Sequence, residues 1–252
     1  RRVLQSLCLI LHLLVDSIAV NAAYLVANYS KKVFGINSKQ YAVWLSNTVS
    51  AYMLNLDMCQ ARNVYIVDSL LNEAKNIWMQ YPDKETEVDY ANFLGTLGLY
   101  YNMTNQQQSA EECYKESILI HKNLKSPEKA FLYNLLRLAT LYVETNRADE
   151  AINIYMALYG RATQLKEQKL KAEICSHLAV VYNNKKENFD RAEKYALESY
   201  AILNEIEPQS VAVAKTDDLL STISFNMGLN RKAINYKLHA LKIKQQNKIQ
   251  IK

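Results

Sequence analysis

An all-α stack of helical hairpins is predicted by three observations. Half of the 252 residues are apolar, glycine (5) and proline (3) are scarce, and one pattern of small and aromatic residues returns every 41 positions. Enough apolar side chain is present for a sizeable core, which excludes a disordered chain. Too little glycine and proline remain for the frequent tight turns of a sandwich or barrel. A fixed period of this length is the mark of a repeat array, in which each helical pair buries its apolar face only against its neighbours.

The elements follow in order. Residues 1–36 read as an apolar N-terminal helical segment, with Asp16 the only charge between Arg2 and Lys31. Thirteen Leu, Ile and Val side chains from Val3 to Val26 contribute roughly −5 kcal/mol on an insertion scale, while Asp16 costs about +3 kcal/mol and Gln5, His12 and Asn21 add more. The balance is near zero. Burial by a neighbouring helix or a partner protein is therefore expected, with membrane contact through residues 3–27 as the alternative. The first residue is Arg1, which leads us to expect a processed or preceding segment and leaves any targeting signal unread.

Residues 37–245 form the array, in copies of about 41–81, 85–124, 126–165, 168–205 and 208–245, with a basic tail at 246–252. Ala110, Ala151, Ala192 and Ala233 lie 41 residues apart, each just before an aromatic residue one helical turn on: Tyr114, Tyr155, Tyr195 and Tyr236. Upstream stand Leu97-Gly98-x-x-Tyr101, Leu138-Ala139-x-x-Tyr142 and Leu178-Ala179-x-x-Tyr182. An earlier copy, Thr48-Val49-x-x-Tyr52 with Ala61 and Tyr65, is offset by 49 residues and predicts a longer second helix. Gly98, Ala139 and Ala179 are expected where the two helices of a hairpin approach, and the register alanines where one hairpin meets the next. Pro82, Pro127 and Pro208 are expected at the starts of first helices, with Ser126-Pro127-Glu128 reading as a cap, a first helical residue and an acid in the first turn. In the last helix Ile234, Leu238, Leu241 and Gln245 recur at helical spacing and should close the stack, leaving Lys232, Lys237 and Lys244 to solvent.

The copies Leu94, Leu97, Gly98, Tyr101, Ala110, Tyr114, Ser117 and Leu135, Leu138, Ala139, Tyr142, Ala151, Tyr155, Leu158 resemble the tetratricopeptide repeat family. The resemblance covers about residues 41–245, and the 41-residue period is similar to the long-helix variety of kinesin light chains. The last copy departs, with Ser221 and Ser224 in place of the small residue and the tyrosine, and Ala192 has one residue inserted before it. The resemblance implies a right-handed α-α superhelix of about five hairpins, whose concave surface is lined by the first helix of each.

His12, His121, His177 and His239 stand in no metal-binding or nucleophile motif, and Gly95-x-x-Gly98 lacks the strand and third glycine of a nucleotide loop. Of the 18 tyrosines, Tyr52, Tyr65, Tyr101, Tyr114, Tyr142, Tyr155, Tyr182, Tyr195 and Tyr236 hold repeat positions, which accounts for half by packing instead of base stacking. Glu111-Glu112 and Asp217-Asp218 splay apart on helices. Cys8, Cys59, Cys113 and Cys175 are too far apart for a close-spaced framework and read as buried thiols of a reducing, intracellular compartment, cytoplasmic or alternatively mitochondrial. No catalytic residue, cofactor or metal is expected.

Charge resides at one end. Seven basic residues and no acid lie between Arg231 and Lys252, leaving 23 basic against 25 acidic residues before them. A uniformly basic face for nucleic acid is therefore not supported and no nucleic-acid partner is expected, and an acidic partner for the last helix is the alternative to a solvated helix end. The family's groove positions fall on Asn47 and Ser50, Asn92 and Asn102, Tyr133, Arg137 and Thr140, Glu173, His177 and Asn183, and Lys215, Thr222 and Asn226. The resemblance thus implies a non-enzymatic adaptor holding an extended segment or helix of a protein partner, the recurring asparagines offering both donor and acceptor to its backbone. The alternative is a membrane-associated accessory subunit or assembly factor of a larger, mitochondrial complex. Chaperone docking is disfavoured, because Ser46 and Ser50 replace the lysine and asparagine of that clamp.

Overall fold

The computed structural model describes residues 21–55, 61–124 and 128–250, and among them no strand occurs. A first helix, α1, covers residues 21–34 of these. It is followed by α2 (Lys39–Asn55), α3 (Ala61–Trp78), a short 3-10 turn at Lys84–Thr86, α4 (Val88–Met103), α5 (Gln107–Asn123), α6 (Glu128–Glu144), α7 (Ala148–Gln164), α8 (Gln168–Asn184), α9 (Phe189–Ile206), α10 (Val211–Asn226) and α11 (Asn230–Gln250). From α2 onward the helices form five hairpins. Most of the apolar N-terminal run, with Cys8 and His12, and also Cys59 and Ser126-Pro127, lies outside the described residues. Among those described, no helix is long and apolar enough to cross a membrane.

Asparagine supplies two of the turns that glycine would otherwise make, and Lys166, Glu187 and Gln209 hold positive φ in three others. Asn105 and Asn146 both hold φ of 60°, in the left-handed region that asparagine tolerates. Each closes its helix with the same bond, Gln106 N–H to the Tyr101 carbonyl (2.8 Å) and Arg147 N–H to Tyr142 (2.7 Å). Gly228, φ 75°, serves the last hairpin, where Leu229 N–H reaches the Ser224 carbonyl. In the α8–α9 turn the inserted residue shows directly, because the closing bond runs one residue further, from Asn188 N–H to Tyr182. Ser38, Asn188 and Ser210 cap α2, α9 and α10 by accepting from Tyr41, Arg191 and Val213 N–H.

The chain divides within α6, after Arg137, into two compact units. In the first, Tyr41, Leu45, Val49, Leu71, Trp78, Phe93 and Leu97 form the core, with Tyr90 set between Trp78 and Phe93 at ring distances of 5.5 and 6.1 Å. Gly98 of α4 lies under the Tyr114 ring of α5, so close that a Cβ would come within 2.7 Å of it. This is the close approach within a hairpin that the sequence predicts. Ser117 of α5 donates to the Ala91 carbonyl of α4 at 2.6 Å and accepts from Asn134 of α6 at 2.8 Å. Asn134 in turn rests in the notch left by Gly95, whose carbonyl receives the Arg137 guanidinium at 3.2 Å.

In the second unit Ala151, Ala192 and Ala233 are buried, as Ala110 is in the first. Ser199 of α9 donates to the Ala172 carbonyl of α8 at 2.8 Å, the counterpart of the Ser117 bond. Glu198 gathers Lys171 and the Tyr159 hydroxyl, each at 2.7 Å. Desolvation alone would raise this carboxyl, but those bonds hold it below its ordinary range. In the last hairpin Ser221 donates to the Ala233 carbonyl at 2.8 Å, which gives the substituted serine a role in packing. Burial pushes the Cys113 thiol of the first unit and the Cys175 thiol of the second up to about 12.

Several sequence expectations are corrected. The buried face of α11 is Ala233, Ala240 and Ile243, while Ile234, Leu238 and Leu241 are 58, 60 and 52% exposed and Gln245 is exposed. Hairpins approach closely enough to want small residues, so the bulkier stripe turns outward. The lysines do remain solvent-accessible, and each also pairs within the chain, Lys232 with Glu193 and Lys237 and Lys244 both with Asp218. The longer second helix expected from the 49-residue offset is present in part: α3 runs to Trp78, about one turn further past its register alanine than α5 or α7, and the rest of the offset lies in the connection to α4. Pro82 and Pro208 stand in connections ahead of α4 and α10, outside the helices. Tyr65 is 76% exposed and does not pack.

Candidate functional site

The site is best formed in the second unit, on a groove of about 470 Å³ between α8 and α10. Positions Glu173, Ser176, His177 and Val180 recur at three- and four-residue spacing, which brings them to one face of α8. Ala212, Lys215, Thr216 and Leu219 do the same on α10, and Leu203 of α9 closes the floor. Three of the residues that the sequence assigns to binding, Glu173, His177 and Lys215, thus meet around one cavity.

The chemistry of the groove is set by what its groups already hold. His177 stacks on Tyr155 at 5.4 Å with the rings nearly parallel. Burial lowers its pKa below the ordinary 6.5, so near neutrality the imidazole is uncharged and able both to donate and to accept. Ser176 shares a hydrogen bond with Ser199 at 2.8 Å. Lys169 at the rim is engaged with Glu207. Lys215 is exposed and pairs with no carboxylate among the described residues. An aliphatic floor, a neutral imidazole and one available ammonium therefore face the same space.

Thr140 and Tyr155 share a hydrogen bond at 3.0 Å inside their hairpin. Asn183 is buried and accepts from Asn226 at 3.0 Å, so these two asparagines hold α8 and α10 together. In the first unit Asn47 and Asn92 are exposed, Asn102, Tyr133 and Ser50 are half-buried, and Arg137 is engaged with α4 as described. Thr222 is exposed and bonds back to the Asp218 carbonyl. The histidines outside the groove are separate: His121 is buried in α5, and His239 contacts buried Asp217 at 2.7 Å. Among the described residues no group of three or more metal-ligating side chains occurs.

Sequence reasoning missed Asn134, which lies between Tyr133 and Arg137 and joins two hairpins. Its one signal was its partner: a glycine at 95 inside a helix, where glycine is otherwise unfavourable, marks a close approach.

No family model and no curated protein matches the chain. Solved structures do. BtubC (BKLC) from P. vanneervenii is 17% identical, with 94% of this chain and 91% of that one covered and a TM-score of 0.67. A putative kinesin light chain from Podospora anserina with nearly identical tetratricopeptide-like repeats is 15% identical, with coverages of 81% and 94% and a TM-score of 0.65. The Rap conjugation gene regulator of plasmid pLS20, solved in complex with the Phr* peptide, is 17% identical over 83% of this chain and 54% of that one, with a TM-score of 0.63. With the hairpins, the register alanines and the notch at Gly98 already in place, these likenesses show that the chain has the tetratricopeptide-type helical-repeat fold.

Proposed function

We propose that the chain is a non-enzymatic protein-interaction scaffold that holds an extended segment of a partner in the groove between α8 and α10. The observation that carries this reading is the convergence of Val180, Leu203 and Leu219 around one cavity with neutral His177 and with Lys215, which pairs with no carboxylate among the described residues. The aliphatic floor accepts one apolar side chain of the segment, His177 bonds its backbone, and Lys215 meets a carboxylate. The Rap regulator, solved with a bound peptide on the same fold, supports a peptide as the occupant.

The test is capture of the partner, mapping of its bound segment to a synthetic peptide, and calorimetry against variants of the full chain. Val180→Asp places a charge on the floor and should abolish binding. Lys215→Ala should weaken it about tenfold or less, the range of one charge-assisted bond. Because the segment's backbone is held by uncharged groups and Lys169 is already paired with Glu207, affinity should fall only modestly from low to moderate salt, through the Lys215 contact. A mapped peptide that binds both variants like the parent would place the site elsewhere.

A further inference from the structure

The outward stripe of α11 is an exposed aliphatic row on a helix that already has a buried face. Ala233, Ala240 and Ile243 turn inward. Ile234, Leu238 and Leu241 lie on the opposite side, and Phe225 of α10, 67% exposed, borders the same surface across a cavity of about 510 Å³ that Ile234 and Lys237 also line. Contiguous exposed apolar surface of this kind marks a contact site.

The repeat register says what kind of contact. Stepping back by 41, Ile234, Leu238 and Leu241 correspond to Glu193, Leu197 and Tyr200 of α9, and to Ile152, Met156 and Tyr159 of α7. At each earlier level the following hairpin meets this row. Met156 sulfur accepts from the Tyr195 hydroxyl at 3.3 Å, and Tyr159 donates to Glu198. One level on, Glu193 pairs with Lys232, and Tyr200 packs on the cluster of Val213, Ala214, Ala240 and Ile243. On α11 the same row faces no further hairpin among the described residues.

Charge narrows the occupant. On the helical wheel Arg231 and Lys242 flank the stripe on one side, and Lys237 and Lys244 on the other. Asp218 neutralises the second pair, while Arg231 and Lys242 have no acidic partner among the described residues. No acid follows Arg231 in the sequence, so a second copy of the same face would bring like charges together. The hollow beside Phe225 accommodates the ridge of a helix better than a flat lipid surface.

We propose that Ile234, Leu238 and Leu241 form a docking surface for one amphipathic helix of a protein partner, its apolar ridge flanked by acidic residues, seated where a next hairpin would stack. This surface is independent of the α8–α10 groove. The probes are two synthetic helical peptides with the same leucine ridge, one flanked by glutamate and the other by lysine, titrated against the full chain by fluorescence anisotropy. The glutamate peptide should bind, and the lysine peptide should bind at least about tenfold more weakly. Leu238→Asp with Leu241→Asp, at positions exposed enough to leave helicity intact, should reduce glutamate-peptide affinity by a similar factor, and Lys242→Glu should also weaken it. Lys215→Ala should leave it unchanged. The proposal is overturned if neither peptide binds, if both bind equally, or if the double variant binds like the parent. It is likewise overturned if the double substitution instead abolishes binding to phosphatidylserine vesicles or a concentration-dependent dimer seen by sedimentation.

Discussion

The side-chain oxygen of Asn134 occupies the space over Gly95 so fully that a Cβ on that glycine would stand 2.5 Å from it. Asn134 cannot swing away freely, because its amide nitrogen donates to Ser117 at 2.8 Å. Two opposing effects therefore act on Gly95→Ala: a helix-propensity gain of about 1 kcal/mol and an overpacking cost of roughly 1–3 kcal/mol. The clash should win in the parent chain. In an Asn134→Ala background the clash is absent and the same substitution should stabilise. Denaturant unfolding of the four proteins checks this, and a substitution effect of the same sign in both backgrounds would refute the coupling.

Gly160 offers the contrasting case. It is helical in α7, exposed, and nothing stands within 4 Å of where its Cβ would be. Gly160→Ala should raise stability by about 0.5–1 kcal/mol through propensity alone. A thermal melt showing no increase would indicate that this turn of α7 is not helical in solution.

Ala151 has no exposed surface, and leucine there adds three heavy atoms to a filled position. Ala151→Leu should cost roughly 1–3 kcal/mol by overpacking. Calorimetry of the variant is the check, and an unchanged melting temperature would remove alanine from the hairpin register.

Acid should destabilise the fold in a window set by two histidines. Burial holds both His121 and His177 below the ordinary value of 6.5, so the unfolded chain takes up these protons first. Stability is then fully present above about pH 6.5 and declines as pH falls from there toward the folded-state values. Replacing both histidines with glutamine should flatten this part of the pH profile of the melting temperature. A profile unchanged by the substitutions would assign the decline to other groups.

Much of the stacking was legible because small residues at a fixed period can mean little else: Ala151 and Ala192 are buried where the register puts them, and Gly98 lies against Tyr114. The orientation of α11 was read the wrong way round. Its sequence carries apolar residues on two faces, and Ile234, Leu238 and Leu241 stand out there only because they are large. Size was the misleading cue, since Ala233 and Ala240 obey the rule that places small residues between hairpins. The groove was legible in part, through Glu173, His177 and Lys215. The bond between Asn183 and Asn226 was not, because nothing in a separation of 43 residues says that two polar side chains will satisfy each other instead of a ligand.

The buried thiols give the molecule an internal clock. A protonated cysteine held up to about 12 reacts with alkylating reagents only when its surroundings open, so Cys113 and Cys175 each record how often the packing around them comes apart. One lies in each compact unit. With Cys8 and Cys59 changed to serine, their two labelling rates would report whether the units open together or separately. A bound segment that slowed only Cys175 would reveal, through time instead of affinity, which half of the protein had been engaged.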